Sequence, residues 1–324
     1  MYTIHEFKPT AEEYEALASL HQVVSPDGRK ETAAELKKED AGWPRGKLFK
    51  RFIATEDEGE FVAEGVCLEA YWQYKAGTVQ LHFSIDPGHA TERVLPGLYA
   101  ALLAFLDRRG ACVDCLSCRA SEEDGARMRF LKQEGFREVM RWPSSELQLA
   151  EFDASRHAPY PEEIEKAGIR ILSLRQIKAE VCDWKRKLRD LRYALLLDVP
   201  AQDPPTKPTL AEFDEMILQD PALVEEGFFV ALAQDGSFLG MSNLWRNDQA
   251  GKNLDTGLTG VVRSHRRRKL GLTLKLHTVR YAQAAGAQTI RARNEENSSM
   301  LALNRKLGFV PKPAWISLQK CLSG

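Results

Sequence analysis

Asp255-Thr-Gly-Leu-Thr-Gly-Val-Val-Arg-Ser-His-Arg-Arg-Arg-Lys-Leu-Gly-Leu-Thr-Leu-Lys275 is the stretch on which the reading of this chain turns. Residues 256–262 are β-prone and end at a basic turn. Leu272, Leu276, Val279 and Ala282 then recur at helical spacing, so the order is strand, basic loop, helix. The first turn of such a helix carries unpaired N–H groups and the positive end of the helix dipole. An anion fits there, and Gly271 lets it approach the backbone closely. Arg266, Arg267, Arg268 and Lys269 add charge at the same point. Neither of the glycine-rich fingerprints of nucleotide-binding loops is present. Taken alone, the basic run reads equally well as a phosphate site, a solvated loop or a nucleic-acid patch.

Working outward from this segment, the chain repeats itself. Phe52-Ile-Ala-Thr55 and Phe61-Val-Ala-Glu-Gly65, joined by an acidic, glycine-bearing turn, match Phe229-Val-Ala-Leu-Ala233 and Phe238-Leu-Gly240 around the turn Asp235-Gly236. Ile85-Asp-Pro-Gly-His89 aligns with Val261-Val-Arg-Ser-His265. A helical stretch follows in both halves and ends at Gly110 or Gly286. Then come a strand, an acidic stretch (Glu122-Glu-Asp124; Glu295-Glu-Asn297), a short helix and a Gly-Phe pair, Gly135-Phe136 or Gly308-Phe309. All of these landmarks recur in one order at an offset of about 175 residues. Each half therefore reads β-α-α-β-β-β-α-β-α-β, an α/β unit with a central sheet. The sequence predicts domains at 1–150 and 160–324, joined by the polar, proline-bearing Glu151–Pro161. A second irregular stretch, Val199–Pro208, carries four prolines and is neither helix nor central strand; it reads as a lid or a plain connector.

Composition supports two cores and excludes several classes. The 324 residues are 44% hydrophobic and 28% charged, with 45 basic against 46 acidic side chains and a net charge of -1. That balance argues against disorder and against a protein built to coat nucleic acid. No apolar run reaches the ~18–20 residues that span a bilayer. The segment Met1-Tyr-Thr-Ile-His-Glu-Phe-Lys8 has neither the basic nor the apolar region of a secretory signal, so a cytoplasmic protein is expected. Cys112, Cys115 and Cys118 are spaced like a metal cluster. The segment reads as a strand, along which side chains alternate, and this sets Cys115 opposite the other two. No metal is expected, and a reduced core strand is the preferred reading.

Downstream lies Ile290-Arg-Ala-Arg-Asn-Glu-Glu-Asn-Ser-Ser-Met-Leu-Ala-Leu-Asn-Arg-Lys-Leu-Gly-Phe309, with Asn297 ahead of a helix expected to bury Met300, Leu303 and Leu307. Together the two segments resemble the GNAT superfamily of acyl-CoA-dependent N-acyltransferases, whose signature is a strand, a [QR]xxGx[GA] loop and helix, then Asn and a closing Gly-Phe. The loop matches as Arg268-Lys-Leu-Gly271-Leu-Thr273, with Thr273 in place of Gly or Ala. It matches also as Arg266-Arg-Arg-Lys269-Leu-Gly271, with Lys269 in place of a glycine. The likeness covers roughly residues 165–320 and extends to 1–150 through the repeat. It implies two tandem GNAT-like domains, each a mixed, splayed sheet flanked by helices. It also implies acetyl-CoA as co-substrate. The strand ending Gly260-Val261-Val262 would pair with the pantetheine arm, leaving a cleft beside the strand around Thr289 to Ala292. Arg266, Arg267, Arg268, Lys269, Leu270, Gly271, Leu272 and Thr273 would hold the pyrophosphate. Asn297 would reach the pantetheine, cap the following helix, or both. Asn304 stands where many members carry a tyrosine acid, and is counted with the cofactor-binding residues.

In the first half the counterpart of the basic loop is Gly88-His-Ala-Thr-Glu-Arg-Val-Leu-Pro-Gly97, where Glu92 would oppose a phosphate and Pro96 suits only a first helical turn. That copy is expected to be degenerate and structural. For the base that frees an amine, Asp255 is the candidate, with Glu225 and Glu226 behind it; the bland alternative is an exposed charge at a strand end. His265, in the basic loop, is poorly placed for this. Backbone N–H groups of the strand could polarise a thioester carbonyl. The expected function is acetyl transfer from acetyl-CoA to the amine of a small molecule. The alternatives are a non-catalytic acyl-CoA-binding or interaction protein and, more weakly, a nucleic-acid contact. The expected partners are a small-molecule amine acceptor, with neither nucleic acid nor membrane; a homodimer is left open.

Overall fold

The computed structural model describes the chain except for Met1, residues 25–30, 57–58, Ala111, Ala158, Gln249 and 323–324, and the side chains of 157 and 159–161. Part of the acidic turn expected near 56–60 thus lies outside the described residues. The chain divides into two compact units, one of Met1–Trp142 with Pro313–Gly324, the other of Pro143–Lys312.

The first unit runs β1 (Thr3–Glu6), α1 (Ala11–Val24), α2 (Ala33–Ala41), β2 (Phe49–Thr55), β3 (Phe61–Leu68), β4 (Thr78–Ile85), α3 (Thr91–Arg108), β5 (Cys115–Ser121) and α4 (Gly125–Gln133), and then enters β6 (Arg137–Gln148). Strands β1 to β4 pair antiparallel in sequence, and β4 pairs parallel with β5. Side chains of β3 alternate between Val62, Val66 and Leu68 on one face and Ala63 and Cys67 on the other, and nearly all are buried, because helices cover both faces. Leu95, Leu98 and Leu102 of α3 close one core; Leu17 of α1, Leu36 of α2 and Ile53 form a separate one. Helix α3 starts at Thr91, so Pro96 lies inside it, beyond the first turn to which the sequence reading confined it.

The second unit runs α5 (Pro159–Lys166), β7 (Arg170–Ser173), α6 (Leu174–Glu180), α7 (Trp184–Leu196), α8 (Leu210–Phe213), β8 (Phe229–Leu232), β9 (Phe238–Arg246), β10 (Asn253–Val261), α9 (Leu270–Ala284), β11 (Thr289–Arg293) and α10 (Ser299–Lys306), and then enters β12 (Val310–Cys321). The pairing repeats that of the first unit: β7 to β10 antiparallel in sequence, then β10 parallel with β11. The repeated Gly-Phe turn has one conformation in both copies, Gly135 and Gly308 each at φ 89°. Both glycines therefore hold the left-handed geometry that an L side chain resists. Residues 199–208 form neither helix nor strand, as their prolines require.

The boundary differs from the expected 150/160 division. The sixth strand of the first sheet is β12, paired antiparallel with β5 from Trp315↔Ser121 to Cys321↔Cys115. The sixth strand of the second is β6, whose residues 144–148 pair with β11. Each half thus lends its last strand to the sheet of the other. The expected connection 151–161 also belongs inside the second unit: Gln283 donates to the carbonyls of Leu149 and Phe152, and α5 begins at Pro159, which fits a first helical turn. Cys115 and Cys118 lie three apart on β5, on opposite faces and both buried; Cys112 precedes the strand and is exposed. No helix among the described residues is long and apolar enough to cross a membrane.

Ala314, Ile316 and Leu318 of β12 are buried in the first unit's core. We expect Leu318→Ala to cost about 2–5 kcal/mol of that unit's stability. A chain truncated after Lys312 should lose hydrogen-exchange protection throughout β2 to β5. Protection unchanged in β5 after truncation would refute the strand exchange.

Candidate functional site

Strands β10 and β11 stay together only from Asn253↔Thr289 to Asp255↔Arg291. From Thr256 onward β10 is paired on its β9 side alone. Just past the fork the β9–β10 register shifts: Thr256 opposes Leu244, but Thr259 opposes Ser242. One extra residue in Gly257-Leu258 therefore forms a β-bulge, which twists the strand and redirects its backbone groups. Gly257 is obligatory there. A Cβ would lie 2.5 Å from Trp245 Nε1 and 2.6 Å from both Asn243 amide atoms. Those two side chains close over the bulge, and the buried Asn243 Oδ1 has no hydrogen-bond partner. The first unit forks also, after Leu81↔Cys118, but its β3–β4 register runs without a shift.

Beyond the bulge, β10 ends at Val261 and the basic loop begins. Arg267 and Lys269 both take φ 60°, and Lys269 is the N-cap of α9. This conformation decides between the two motif registers. The backbone that a motif glycine would adopt falls at Lys269, so Arg266-Arg-Arg-Lys269-Leu-Gly271 is the match. Gly271 has an ordinary backbone, and a Cβ there would meet only Val261 Cγ2 at 3.5 Å. Of the two effects open to a side chain at 271, a clash with an approaching anion or a blocked backbone conformation, this ordinary backbone leaves the first; the left-handed geometry is borne by Arg267 and Lys269. Lys269 gives no side-chain cap, no acidic residue lies in the first turn, and the next capping bond is Thr273 N–H to Lys269 O. The N–H groups of Leu270, Gly271 and Leu272 consequently begin the helix without an intrahelical acceptor.

The loop cations are not equivalent. Arg263 and Arg266 are both bound to Asp198, just past the end of α7, and Arg266 also donates to the Val261 carbonyl. Hydrogen bonds from Arg263 and then Arg266 outweigh desolvation and hold the Asp198 carboxyl below its usual range. Lys269 lies 3.9 Å from Glu163. Arg267 and Arg268 have no ion-pair partner among the described residues. A cleft of about 470 Å³ opens beside the loop, lined by Glu163, Gly168, His265, Arg268 and Leu270 among others.

Asp255 stands at the fork, in a row across one sheet face made by Glu146, Arg291, Asp255 and Trp245. Asn247 donates to its Oδ1 at 3.1 Å. Burial pushes its carboxyl upward and outweighs the opposing effect of Arg293, Arg291 and the Asn247 hydrogen bond. Glu225 is engaged in an ion pair with Lys178, and Glu226 is exposed. Asn297 is exposed and donates to Glu295; the cap of α10 is Ser298, whose Oγ accepts from Leu301 N–H, so the capping role expected of Asn297 is corrected. Helix α10 buries Leu301 and Asn304, while Met300 and Leu303 are only half-buried. Asn304 donates to Asn294 Oδ1 at 2.7 Å, and its own Oδ1 has no partner. Trp245, Asn243 and Asp198 were missed by the sequence reading; only the glycine-interrupted alternation of β10 hinted at the bulge that gathers the first two.

Residues 190–309 match the acetyltransferase (GNAT) family. The second unit carries a GNAT acetyltransferase domain. No curated protein matches the sequence. Among solved structures, a tandem GNAT protein from the clavulanic acid biosynthesis pathway aligns over 100% of this chain and 99% of its own at a TM-score of 0.74 and 16% identity. A GCN5-related N-acetyltransferase from Sphaerobacter thermophilus aligns over 100% and 96%, with a TM-score of 0.68 and 16% identity. These likenesses show the tandem GNAT fold, and the family match lies within the second unit.

A non-glycine residue in the left-handed region costs about 1–2 kcal/mol. Lys269→Gly should therefore raise the melting temperature although it deletes a cation, and Lys269→Val should lower it. Thermal unfolding at fixed salt compares the two; a Val variant as stable as the Gly variant would refute the assignment.

Proposed function

We propose that the chain is an N-acetyltransferase that moves the acetyl group of acetyl-CoA directly to the amine of a small molecule, using the second unit alone. The observation that carries this reading is the bulged, unpaired length of β10 leading straight into a basic, uncapped helix start. The first unit has the fork without the bulge and without the cations. In this reading the backbone of Thr256 to Val262 pairs with the pantetheine amides. The N–H groups of Leu270, Gly271 and Leu272, with Arg267 and Arg268, hold the pyrophosphate. Gly271 matters here because a side chain would project where phosphate oxygens approach, not because its backbone is unusual. The bulge turns a backbone N–H toward the thioester carbonyl, a preorganised donor for the oxyanion. Asp255, its carboxyl raised by burial, takes the proton of the incoming ammonium and attracts that cation beforehand.

Asn304 supports a second reading, an acyl-CoA-binding protein that does not turn over. An amide on α10 supplies no proton to a departing thiolate. Release of CoA thiol across a panel of small amines separates the two readings. Calorimetry should find one acetyl-CoA per chain, and two equal sites would contradict the assignment to the second unit.

Two substitutions test the parts. Asp255→Asn should lower turnover by about 10²–10⁴-fold and leave acetyl-CoA affinity nearly unchanged. It should also abolish the rise of rate with pH through the Asp255 titration, because the base works only when deprotonated. Gly271→Val should lose more acetyl-CoA affinity than Arg267→Ala at one salt concentration, with circular dichroism unchanged. Exposed charges share the load and are screened over ~8 Å, whereas a blocked backbone has no substitute. Equal affinity for Gly271→Val and the parent would remove phosphate from this loop.

A further inference from the structure

Lys275 is fully buried on α9, one of the largest side chains in the molecule with no solvent contact. Its Nζ donates to Thr256 Oγ1 at 3.0 Å and lies 5.2 Å from the centre of the Phe309 ring. Thr256 is the first residue past the fork and the last before the bulge. The ammonium is therefore held at the vertex of the opening between β10 and β11.

Among the described residues nothing neutralises it. On β10 the adjacent carboxylate, Asp255, alternates to the sheet face opposite Leu254, which packs with Leu276 and Val279 of α9. On β11, Arg291 and Arg293 alternate likewise against Ile290 and Ala292. Arg305 and Lys306 of α10 are exposed, Arg246 of β9 bonds the Pro221 carbonyl, and of the two rings on α9 His277 packs against Phe229 and Tyr281 lies against Gly227. Among the described residues no carboxylate lies within ion-pair distance of Nζ. Burial alone pushes the Lys275 amine down to about 7. An unpaired buried amine is costly to a fold that could place methionine there. Such a group is explained by an anion that is present only part of the time.

Resting on the acyl-CoA reading given above, we infer that Lys275 is the proton donor to the thiolate that leaves in acyl transfer. The amine nitrogen attacks the thioester carbonyl and the C–N bond forms. As the tetrahedral adduct collapses the C–S bond breaks, its electron pair stays on sulfur, and a proton passes from Nζ by way of the Thr256 hydroxyl, which takes one from Nζ and gives its own to that sulfur. The amide and the free thiol leave. Neutral Lys275, itself without solvent contact, regains a proton through the half-buried Thr256 hydroxyl to which it is bonded, and Asp255 releases to solvent the proton it took from the ammonium. Asn304, without an acidic proton, is thereby relieved of the role its position on α10 would suggest.

The test uses free CoA and the full-length chain, so it needs no acceptor. Thiolate absorbance of bound CoA is titrated with pH in the parent, in Lys275→Met and in Lys275→Arg, each checked by circular dichroism and by calorimetric affinity for CoA. A cation beside sulfur holds the thiol below its ordinary value, by about 1–3 pH units. The midpoint should rise by at least about one unit in Lys275→Met and stay low in Lys275→Arg, while the affinity of Lys275→Met for CoA changes about twofold or less. Should the Met variant fail to fold, the parent midpoint against that of CoA in solution gives the same reading. Bound CoA titrating like free CoA in the parent, or identically in parent and Lys275→Met, would overturn the inference and leave the acyl-CoA site standing. No CoA binding to the parent would overturn the site itself, and this role with it.

Discussion

The parting of β10 from β11 after Asp255↔Arg291 is the constraint from which the second unit is organised. A strand inside a sheet normally spends both rows of backbone groups on its neighbours, and orphaned groups are costly where water is excluded. From Thr256 to Val261 one row faces an opening, which leaves this length of backbone without a neighbouring strand on that side. The bulge at Gly257-Leu258 lies at the base of that opening and the basic helix start at its mouth. Strand length sets their separation, because a β residue advances roughly 3.3 Å. In the function proposed above, that spacing lets one extended ligand meet a polarising backbone at one end and cations at the other.

The same fork in the first unit shows that the scaffold alone does not make a site. There β3 and β4 keep one register, and the face beneath α1 and α2 is filled by a closed ionic network. His21 bonds Glu31 at 3.0 Å and Glu64 at 2.8 Å; Arg51 bridges Glu64 and Asp40; Tyr14 donates to Asp40. Burial opposes charge on His21, but its two carboxylates prevail and push it up to about 10. The carboxylates of Glu64 and Asp40 are thereby engaged by His21, Arg51 and Tyr14. Mutual exchange of the last strands makes each sheet depend on a strand from the other half of the chain.

Much of this was legible in the residues. The repeated hairpin, the paired Gly-Phe turns and the helical spacing after the basic run place nearly every element, because each is a local pattern with a local cause. The exchange of β6 and β12 was not legible. Both strands follow the same Gly-Phe turn, and nothing in their alternation says which of two equivalent sheet edges receives them. The bulge escaped for a related reason: it is a mismatch between two strands, invisible in either alone. Lys275 escaped because one basic residue within a helix reads as a solvated face, and only the packing of α9 turns it inward.

The loop itself shows how charge and shape divide the work. Asp198 commits Arg263 and Arg266 to fixed positions, and Arg266 also grips the Val261 carbonyl at the end of β10. Those arginines hold the turn that puts Arg267 and Lys269 into left-handed backbone, a strain that persists only where surroundings over-determine it. Arg267 and Arg268, unclaimed by any described carboxylate, remain for a ligand. Four adjacent cations with no counter-ion would repel one another and order poorly. Asp198 beneath them fixes Arg266 of the four together with Arg263, and leaves Arg267 and Arg268 without a described carboxylate partner beside the helix start.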